Sequence, residues 1–461
     1  MRCVLQIATL ALLAAASAAQ RPNVVLIMAD DLGWGDLGVQ GHPALHTPHL
    51  DQMAADGASF ARFHAAAPVC SPTRASCLTG RHPYRADIPS ANRGHLRRDE
   101  VSLQGLLKQA GYRTGHFGKW HLGTLTKTLV ESNRGGPRGR AHYAPPWERG
   151  FDVCFSTEAK VPTFDPMKHP TTGEPYGTHY WTGPEQRVTR GLEGDDSRVI
   201  MDRALPFVRE CVAEEAPFLC VVWLHAPHLP CVASDADRAR YRDFGEQAQH
   251  YFGCITALDR QVGRLRRALD DLGVADDTMI WFCSDNGPEG KDGKAPGSTG
   301  GLRGRKRSLY EGGTRVPAFA VWPGHIQAGV EVKTLACTSD YLPTLAGWLQ
   351  LPLPTEHRLD GVDLRPALFA AARGETAPRQ QAIGFESARM ATWTGDRFKL
   401  VGHLKGQTKD HRALPPVDRV ELFDLLEDPQ EQTNAAADHP DTVAAMRESL
   451  ARWRVSIRQR P

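Results

Sequence analysis

The chain has 461 residues, of which 41% are hydrophobic and 23% are charged, a composition that can bury a large core. That length allows two or three domains, or one α/β domain with a small appendage. The formal net charge is only +2 and no long block of one sign occurs, so charge gives no indication of a nucleic-acid partner and we expect none.

The amino-terminal residues have the pattern of a secretory signal peptide. Arg2 precedes an apolar run over residues 4–16, and small residues follow it as far as Ala19. The run is shorter than the ~20 residues that a membrane-spanning helix needs. We therefore predict a cleaved signal peptide over residues 1–19, a secreted or periplasmic protein, and no membrane anchor.

Apolar runs without polar alternation predict strands that are covered on both faces, as in a parallel sheet. They occupy residues 23–28, 218–224, 278–283 and 318–322. Helical patterns separate them. The clearest has apolar residues at steps of three and four from Phe252 to Leu269, and Gly273 closes it. This alternation is typical of βαβ units.

The segment between Thr124 and Asp196 loses this pattern. It is rich in Gly, Pro and Arg, with scattered Trp, Tyr and His, and it has no helical or strand period. Long loops of this kind in a compact domain are usually functional or disordered, so we predict loops throughout this segment.

A second, smaller unit begins at about Ile383. It contains strand-like runs at 390–393 and 397–401, joined by a Thr-Gly-Asp turn, and a helix over about 441–457. The predicted domains are a catalytic domain at 20–375 and a C-terminal subdomain at 376–461.

Ten cysteines occur in the chain, and Cys3 falls in the predicted signal peptide. An exported protein can form disulfides, but the spacing does not assign pairs. Cys220 and Cys283 lie inside apolar runs, where buried thiols are expected. The chain has no Cys-x-x-Cys pair of the zinc type.

The run Cys70-Ser71-Pro72-Thr73-Arg74 places a thiol and a guanidinium four residues apart, hence on one face of a helix. Pro72 fits the first helical turn, which puts Cys70 at the helix start among free backbone N–H groups. Such a position binds anions. An arbitrary cysteine is more often a buried or capping thiol, but the motifs elsewhere in the chain favour a functional one.

Polar side chains follow two of the predicted strands. Asp30 and Asp31 end the first, and Asp285 and Asn286 end another. Four oxygen-bearing side chains without thiolate or imidazole favour Ca²⁺ or Mg²⁺ over zinc. Either pair alone would be read as a helix cap, a turn or a solvated loop. Two such pairs at equivalent strand ends favour a metal site.

Three further blocks carry basic side chains. Lys119 and His121 lie two apart in a Gly-rich run, His228 follows the second apolar run, and Lys306 lies in the basic segment 302–317. Each block alone is more typical of a solvated surface.

These motifs resemble those of the sulfatase family. Its signature, Cys or Ser, any residue, Pro, any residue and Arg, followed by Leu-Thr-Gly-Arg, is matched from Cys70 to Arg81. Its calcium-site contexts, Met-Ala-Asp-Asp-Leu-Gly-Trp-Gly-Asp and Ser-Asp-Asn-Gly, are matched at 28–36 and 284–287. The resemblance covers most of the chain and is greatest to the arylsulfatase and galactosamine-sulfatase branch. It departs at Arg305, where a second glycine is common.

The resemblance implies an alkaline-phosphatase-like α/β sandwich: a central mixed, mostly parallel sheet flanked by helices, plus a small C-terminal α+β subdomain with an antiparallel sheet. It implies one Ca²⁺ ion and the oxidation of Cys70 to formylglycine by a maturation enzyme. The implied metal ligands are Asp30, Asp31, Cys70, Asp285 and Asn286. The implied catalytic residues are Cys70, Arg74, Lys119, His121, His228, Asp285 and Lys306.

The family mechanism has two steps. One hydroxyl of the hydrated aldehyde at residue 70 attacks sulfur with the help of Asp285, and His228, with Lys306, protonates the leaving alcohol. His121 then removes a proton from the second hydroxyl, and elimination of sulfate restores the aldehyde. Two easier steps replace one difficult displacement.

The resemblance therefore predicts a secreted, calcium-dependent sulfatase that acts on a sulfated carbohydrate. Asp36 is expected only to order its loop, and His225 to act indirectly. Some aromatic and basic residues of the long loops are candidates to line a sugar pocket, although each alone is more typical of loop packing. They are His142, Trp147, Lys160, His169, Tyr180 and Trp181.

Two alternatives remain open. A phosphomonoester or phosphonate hydrolase would share the scaffold, but phosphatases of this fold favour two zinc ions with several His ligands, whereas this chain offers oxygen ligands for one hard cation. The other alternative is a catalytically silent protein that binds sulfated glycans. In that protein Cys70 would stay a thiol, because the modification depends on a separate enzyme.

Overall fold

The computed structural model describes residues 21–459 apart from 133, 135–136, 388 and 407–409. The predicted signal peptide, residues 1–19, lies outside the described residues. Within the described part of the chain, no helix combines the length and apolar character needed to cross a membrane.

Strands and helices alternate along most of the chain. The strands are β1 (Asn23–Ala29), β2 (Ala58–Phe60), β3 (Phe63–His64), β4 (Arg113–Lys119), β5 (Val153–Thr157), β6 (Trp181–Gly183), β7 (Gln186–Arg187), β8 (Phe218–Trp223), β9 (Thr278–Ser284), β10 (Ala318–Val321), β11 (Val330–Val332), β12 (Ala336–Cys337), β13 (Ile383–Glu386), β14 (Met390–Thr394), β15 (Phe398–Leu404) and β16 (Val417–Asp424). The α-helices are α1 (Pro48–Ala55), α2 (Cys70–Thr79), α3 (Leu103–Gln109), α4 (Asp196–Ala213), α5 (Asp235–Ala239), α6 (Glu246–Asp271), α7 (Glu311–Thr314), α8 (Tyr341–Trp348), α9 (Arg365–Ala371) and α10 (Pro440–Ser456).

The central sheet has the order β11-β2-β10-β9-β1-β8-β4-β5-β6-β7. At its centre, β1 is parallel to β8 and β9, and β4 is parallel to β8 and β5. Only outside this core do antiparallel pairs occur among the described strands, as between β10 and β9 and between β5 and β6. The mixed, mostly parallel sheet predicted from the family resemblance is confirmed, and the four apolar runs form β1, β8, β9 and β10.

The central strand is buried on both faces, which explains its unbroken apolar sequence. Val24, Leu26 and Met28 of β1 pack into one hydrophobic cluster with residues of α2 and α8. Val25 and Ile27 alternate with them and pack into a second cluster with residues of α4 and α6. Helices therefore cover both faces of the sheet, so polar functional side chains gather at the ends of the strands.

The prediction of loops throughout 124–196 is wrong at β5, which pairs in parallel with β4 over residues 153–157. Its sequence Val-Cys-Phe-Ser-Thr favours a strand, but five residues are too few to show a period. Parallel pairing with β4 stabilises this strand, and the local sequence does not record that pairing. β6 and β7 extend the same edge of the sheet.

A separate antiparallel sheet of β13-β14-β15-β16 follows the central one. The predicted strands at 390–393 and 397–401 are confirmed as β14 and β15, and the predicted terminal helix is α10. Trp453 of α10 packs on Leu400 and Leu422 of this sheet. The domain boundary at 375 stays a prediction, and it falls between α9 and β13.

A buried ionic network joins this second sheet to the basic segment 302–317. Lys399 Nζ of β15 lies 2.9 Å from Glu311 Oε1 and 3.0 Å from Glu431 Oε1. The backbone N–H of Glu311 donates to Glu431 Oε2 at 2.6 Å. Burial alone would raise the pKa of Glu311, but His64 and Lys399 hold it well below its usual range. The C-terminal sheet thereby fixes the end of the loop that carries Lys306.

Lys399→Met should lower the free energy of unfolding by about 3–5 kcal/mol, because it removes the cation that two buried carboxylates share. The matched control is Lys333→Met, whose side chain is 65% exposed and which should stay within about 0.5 kcal/mol of the parent. Urea unfolding measures both. Equal stability of the two variants would contradict the network.

Candidate active site

Helix α2 begins at Cys70 and points its amino terminus into the molecule. Val69 before it is extended, Pro72 occupies the first turn as predicted, and Gly80 ends the helix with a left-handed φ of +67°. Both Cys70 and Arg74 are buried, at 2% and 0% exposure. A thiol and a guanidinium therefore share one interior helix face, as their spacing predicted.

Arg74 links helix α2 to the carboxyl ends of β9 and β4. Its Nε and Nη2 donate to Asp285 Oδ2 at 3.1 and 2.7 Å, and its Nη1 donates to the carbonyl oxygen of Lys119 at 3.0 Å. Asp285, just beyond β9, also accepts from the backbone N–H of Asp31 through Oδ1 at 3.1 Å. The carboxyl ends of β1, β4 and β9 thus meet at the start of α2.

Two lysines hold the acidic pair that follows β1. Lys119 Nζ donates to Asp30 Oδ2 at 2.5 Å, and Lys306 Nζ contacts both carboxylate oxygens of Asp31 at 2.7 Å. Asn286 Nδ2 donates to Asp31 Oδ1 at 2.7 Å. Burial would raise the pKa of Asp30, but the charges around it, Lys119 first, hold it well below its usual range. Asp30 is therefore ionised.

His121 is held so that one ring nitrogen stays free. Its Nε2 lies 2.7 Å from Asn92 Oδ1, and its carbonyl oxygen accepts from Arg134 Nη2 at 2.6 Å. Because Asn92 offers an acceptor, Nε2 carries the proton, and the buried Nδ1 has no partner among the described residues. Burial and the Lys119 charge lower the pKa of His121 well below its usual range. The ring is a neutral proton acceptor.

His228 lies beside the acidic pair, with its Nε2 3.6 Å from Asp31 Oδ2. Its Nδ1 lies 2.6 Å from the carbonyl oxygen of Leu229, and burial lowers the pKa of its ring to about 4. A ring nitrogen of His228, the Cys70 sulfur and carboxylate oxygens of Asp30 and Asp31 all lie within 4.8 Å of one another. His228 therefore faces the same point as the thiol.

The structure brings every predicted metal-binding and catalytic residue to this one buried site. The roles given to them from the family resemblance stay predictions. Of the candidate sugar-pocket residues, Lys160 has an exposed side chain whose pKa is lowered by partial desolvation and by the charges of Lys119 and Lys306. Tyr180 and Trp181 are instead buried core residues, at 0% and 2% exposure.

The acidic pair and Asn286 fit a hard divalent cation. Asp30 Oδ1 and Asn286 Oδ1 are buried acceptors that no donor contacts among the described residues, which is costly unless an ion satisfies them. Asp30, Asp31 and Asp285 balance Arg74, Lys119 and Lys306 in formal charge. A divalent cation would leave an excess of positive charge, as a site for an anion requires.

The Cys70 thiol is a poor nucleophile in its unmodified form. Burial raises its pKa to about 12 despite the nearby Lys119 and Lys306, so it is protonated at neutral pH. Cys220 and Cys283 are free buried thiols, as their apolar surroundings predicted.

Asp36 and His225 support the site without facing the thiol. Asp36 Oδ2 accepts from the N–H of Gly33 at 2.7 Å and Oδ1 accepts from the N–H of Ser298 at 2.7 Å, so Asp36 orders its loop as expected. His225 Nδ1 bonds Asp196 Oδ2 at 2.8 Å, which fixes its ring in the core.

Three residues around the site were not predicted from the sequence. Asn92 and Arg134 hold His121, and Glu289 Oε2 lies 3.5 Å from Lys306 Nζ. No motif marks them. The run Ser-Ala-Asn-Arg-Gly around Asn92 signals only a turn, and a turn signal does not say which side chain it faces.

Comparison with known proteins agrees with this geometry. A family model described as sulfatase matches residues 22–351. Arylsulfatase A from Homo sapiens is 33% identical over 95% of this chain and 89% of its own length. N-acetylgalactosamine-6-sulfatase from Sus scrofa is 33% identical over 90% of this chain and 82% of its own. The solved structure of Ps i-CgsB in complex with k-i-k-neocarrahexaose has a TM-score of 0.81 and 26% identity, and the match covers 96% of this chain and 94% of that one.

The chain therefore belongs to the sulfatase family, with its alkaline-phosphatase-like α/β fold. It is a sulfuric ester hydrolase.

Asn92→Gly should lower kcat about tenfold with little change in KM, because it removes the acceptor that orients His121. Glycine keeps the left-handed backbone of this position, where Asn92 has a φ of +58°. Asn92→Asp retains the acceptor oxygen and should keep more of the activity. Steady-state kinetics on an aryl sulfate measure kcat and KM of both variants. An equal loss of kcat in the two variants would contradict the positioning role of Asn92.

Proposed function

We propose that this protein hydrolyses the sulfate ester of a sulfated carbohydrate, using a formylglycine made from Cys70 and one Ca²⁺ ion. The observation that carries the proposal is the convergence of Cys70, Arg74, Lys119 and Lys306 with the buried carboxylates at one point. The similarity to N-acetylgalactosamine-6-sulfatase and to Ps i-CgsB, solved in complex with k-i-k-neocarrahexaose, supports a carbohydrate substrate.

The sulfate group would be held by fixed cations at the start of α2. Arg74, Lys119 and Lys306 approach this point from three separate segments, and the first N–H groups of α2 face it. A sulfate monoester carries one negative charge, which the positive excess of the metal-loaded site would match. Cations held before the substrate arrives need no reorganisation as charge grows on the leaving oxygen.

The ion would be held by Asp30, Asp31, Asp285 and Asn286, together with the side chain at residue 70. Oxygen donors of this kind suit Ca²⁺. When bound, the ion would neutralise the carboxylates and polarise the sulfate oxygens. Asp30 Oδ1 and Asn286 Oδ1, which no donor contacts in the part of the chain that the structure describes, support this assignment.

The hydrated aldehyde would supply the hydroxyl that attacks sulfur and a second hydroxyl whose deprotonation releases sulfate. The two histidines then divide the proton transfers. His121 is neutral and no described residue contacts its Nδ1, so it can accept a proton. Burial would lower the pKa of Lys306, but Cys70, Asp31 and Asp30 raise it, so Lys306 is charged. Lys306 and His228 both lie against Asp31 Oδ2. This pair is positioned to give the leaving alcohol its proton.

We also propose that the protein is exported, with residues 1–19 removed, and that a separate maturation enzyme converts Cys70. The amino-terminal pattern supports export. The protonated state of the unmodified thiol is consistent with a need for conversion.

Active protein should carry a peptide spanning residue 70 that is lighter by about 18 Da than the cysteine form, as mass spectrometry will show. Cys70→Ala should lower turnover of an aryl sulfate by at least about 10³-fold without loss of folding. Cys77→Ala, on the same helix but packed in the hydrophobic core, is the matched control and should remain active. Full activity with an unconverted Cys70 would contradict the mechanism.

Ca²⁺ added to chelator-treated protein should raise the melting temperature, by the equivalent of about 2.7 kcal/mol at a hundredfold excess over Kd. Asn286→Ala should remove most of this rise. Asn434→Ala is the control, because its side chain caps a backbone N–H in the C-terminal sheet. A melting temperature that does not respond to Ca²⁺, or responds equally in Asn286→Ala, would remove the ion from this site.

A further inference from the structure

A large cavity extends from the candidate active site to the C-terminal sheet. Its volume is about 840 Å³, and its walls include Val69 and Lys306 at one end and Met390 and Leu404 of the antiparallel sheet at the other. Ligand pockets usually measure about 300–1,000 Å³. The cavity therefore has room for a saccharide that extends well beyond the sulfate group being cleaved.

Basic side chains dominate the charge of this cavity, and most of them are already paired. Arg305 contacts Asp292, Arg307 contacts Glu289, and Arg458 contacts Glu386. These cations are neutralised within the protein, so they contribute little to the recognition of a further anion.

Two lining cations differ from the others. Arg93 and Lys291 make no ion pair and no side-chain hydrogen bond to any residue that the structure describes, and both are exposed. Arg93 directly follows Asn92, the residue that holds His121. Lys291 lies two positions after Glu289, which contacts Lys306. Both uncommitted charges are thus attached to segments that border the sulfate site.

We propose that this cavity binds a saccharide that carries a second anionic group, a sulfate or a carboxylate, besides the ester that is cleaved. Arg93 and Lys291 are the specificity-determining residues that contact the second group. The inference rests on the proposed function, since it extends the same site. Met390 and Leu404 offer apolar surface to the C–H faces of the sugar rings.

The proposal separates two kinds of substrate. A small aryl sulfate places its only charge among Arg74, Lys119 and Lys306, so it does not need the outer cations. A saccharide with a second charge gains a charge-assisted contact to Arg93 or Lys291. Because both cations are exposed, this gain should weaken as salt is added.

The test compares Arg93→Gln, Lys291→Gln and the double variant with a double control, Arg242→Gln with Lys333→Gln, at exposed positions outside the cavity lining. The substrates are para-nitrophenyl sulfate and three defined disaccharides. One disaccharide carries a single sulfate, one carries a second sulfate, and one carries a uronic acid carboxylate. All proteins are used in their matured form, with kcat and KM measured at low and high salt.

At least one cavity variant should raise KM for a doubly charged disaccharide about tenfold at low salt, and the double variant should raise it at least as much. The same variants should change KM for para-nitrophenyl sulfate and for the singly sulfated disaccharide by no more than about twofold. The disaccharide that responds, doubly sulfated or carboxylated, identifies the second group.

A double variant that affects all substrates equally, or none, would overturn the inference while the proposed function stands. Parent enzyme that cleaves the aryl sulfate but does not prefer any doubly charged disaccharide over the singly sulfated one would also overturn it. Matured parent that cleaves no sulfate ester at all would instead overturn the proposed function itself.

Discussion

Three buried carboxylates, Asp30, Asp31 and Asp285, set the main physical constraint on this molecule. Each fully buried charge costs several kcal/mol of desolvation unless it is paired and hydrogen-bonded. Their partners come from distant segments: Arg74 from α2, Lys119 from β4 and Lys306 from the basic loop. The carboxyl ends of the central strands, the start of α2 and that loop must therefore meet at one point, and this meeting point is the candidate active site.

The second sheet takes part in this arrangement through Lys399. Lys399 binds Glu311 and Glu431 in the interior and so fixes the end of the loop that carries Lys306. The same sheet forms the far wall of the large cavity. It therefore helps to position Lys306 and also shapes the cavity proposed to hold the rest of the substrate.

The sequence predicts an element well when the pattern of that element lies within its own segment, and poorly when the element depends on contacts with other segments. The strand β1 and the helix α6 were predictable because burial on two faces or on one stripe leaves a pattern within the segment itself. β5 was not, because its stability comes from pairing with β4. The site residues were predictable as a set through family motifs, whereas Asn92 and Glu289 act through side-chain contacts between segments that no local pattern records.

A crystal structure of catalytically active protein, grown with Ca²⁺ and inorganic sulfate, would show whether the modified residue 70, the ion and the sulfate share one site. Residue 70 should have lost its sulfur, a cation should lie among Asp31, Asp285 and their neighbours, and the sulfate should contact Lys119 and Lys306. Active protein with an intact thiol at residue 70, or with the cation and sulfate bound elsewhere, would contradict the proposed function.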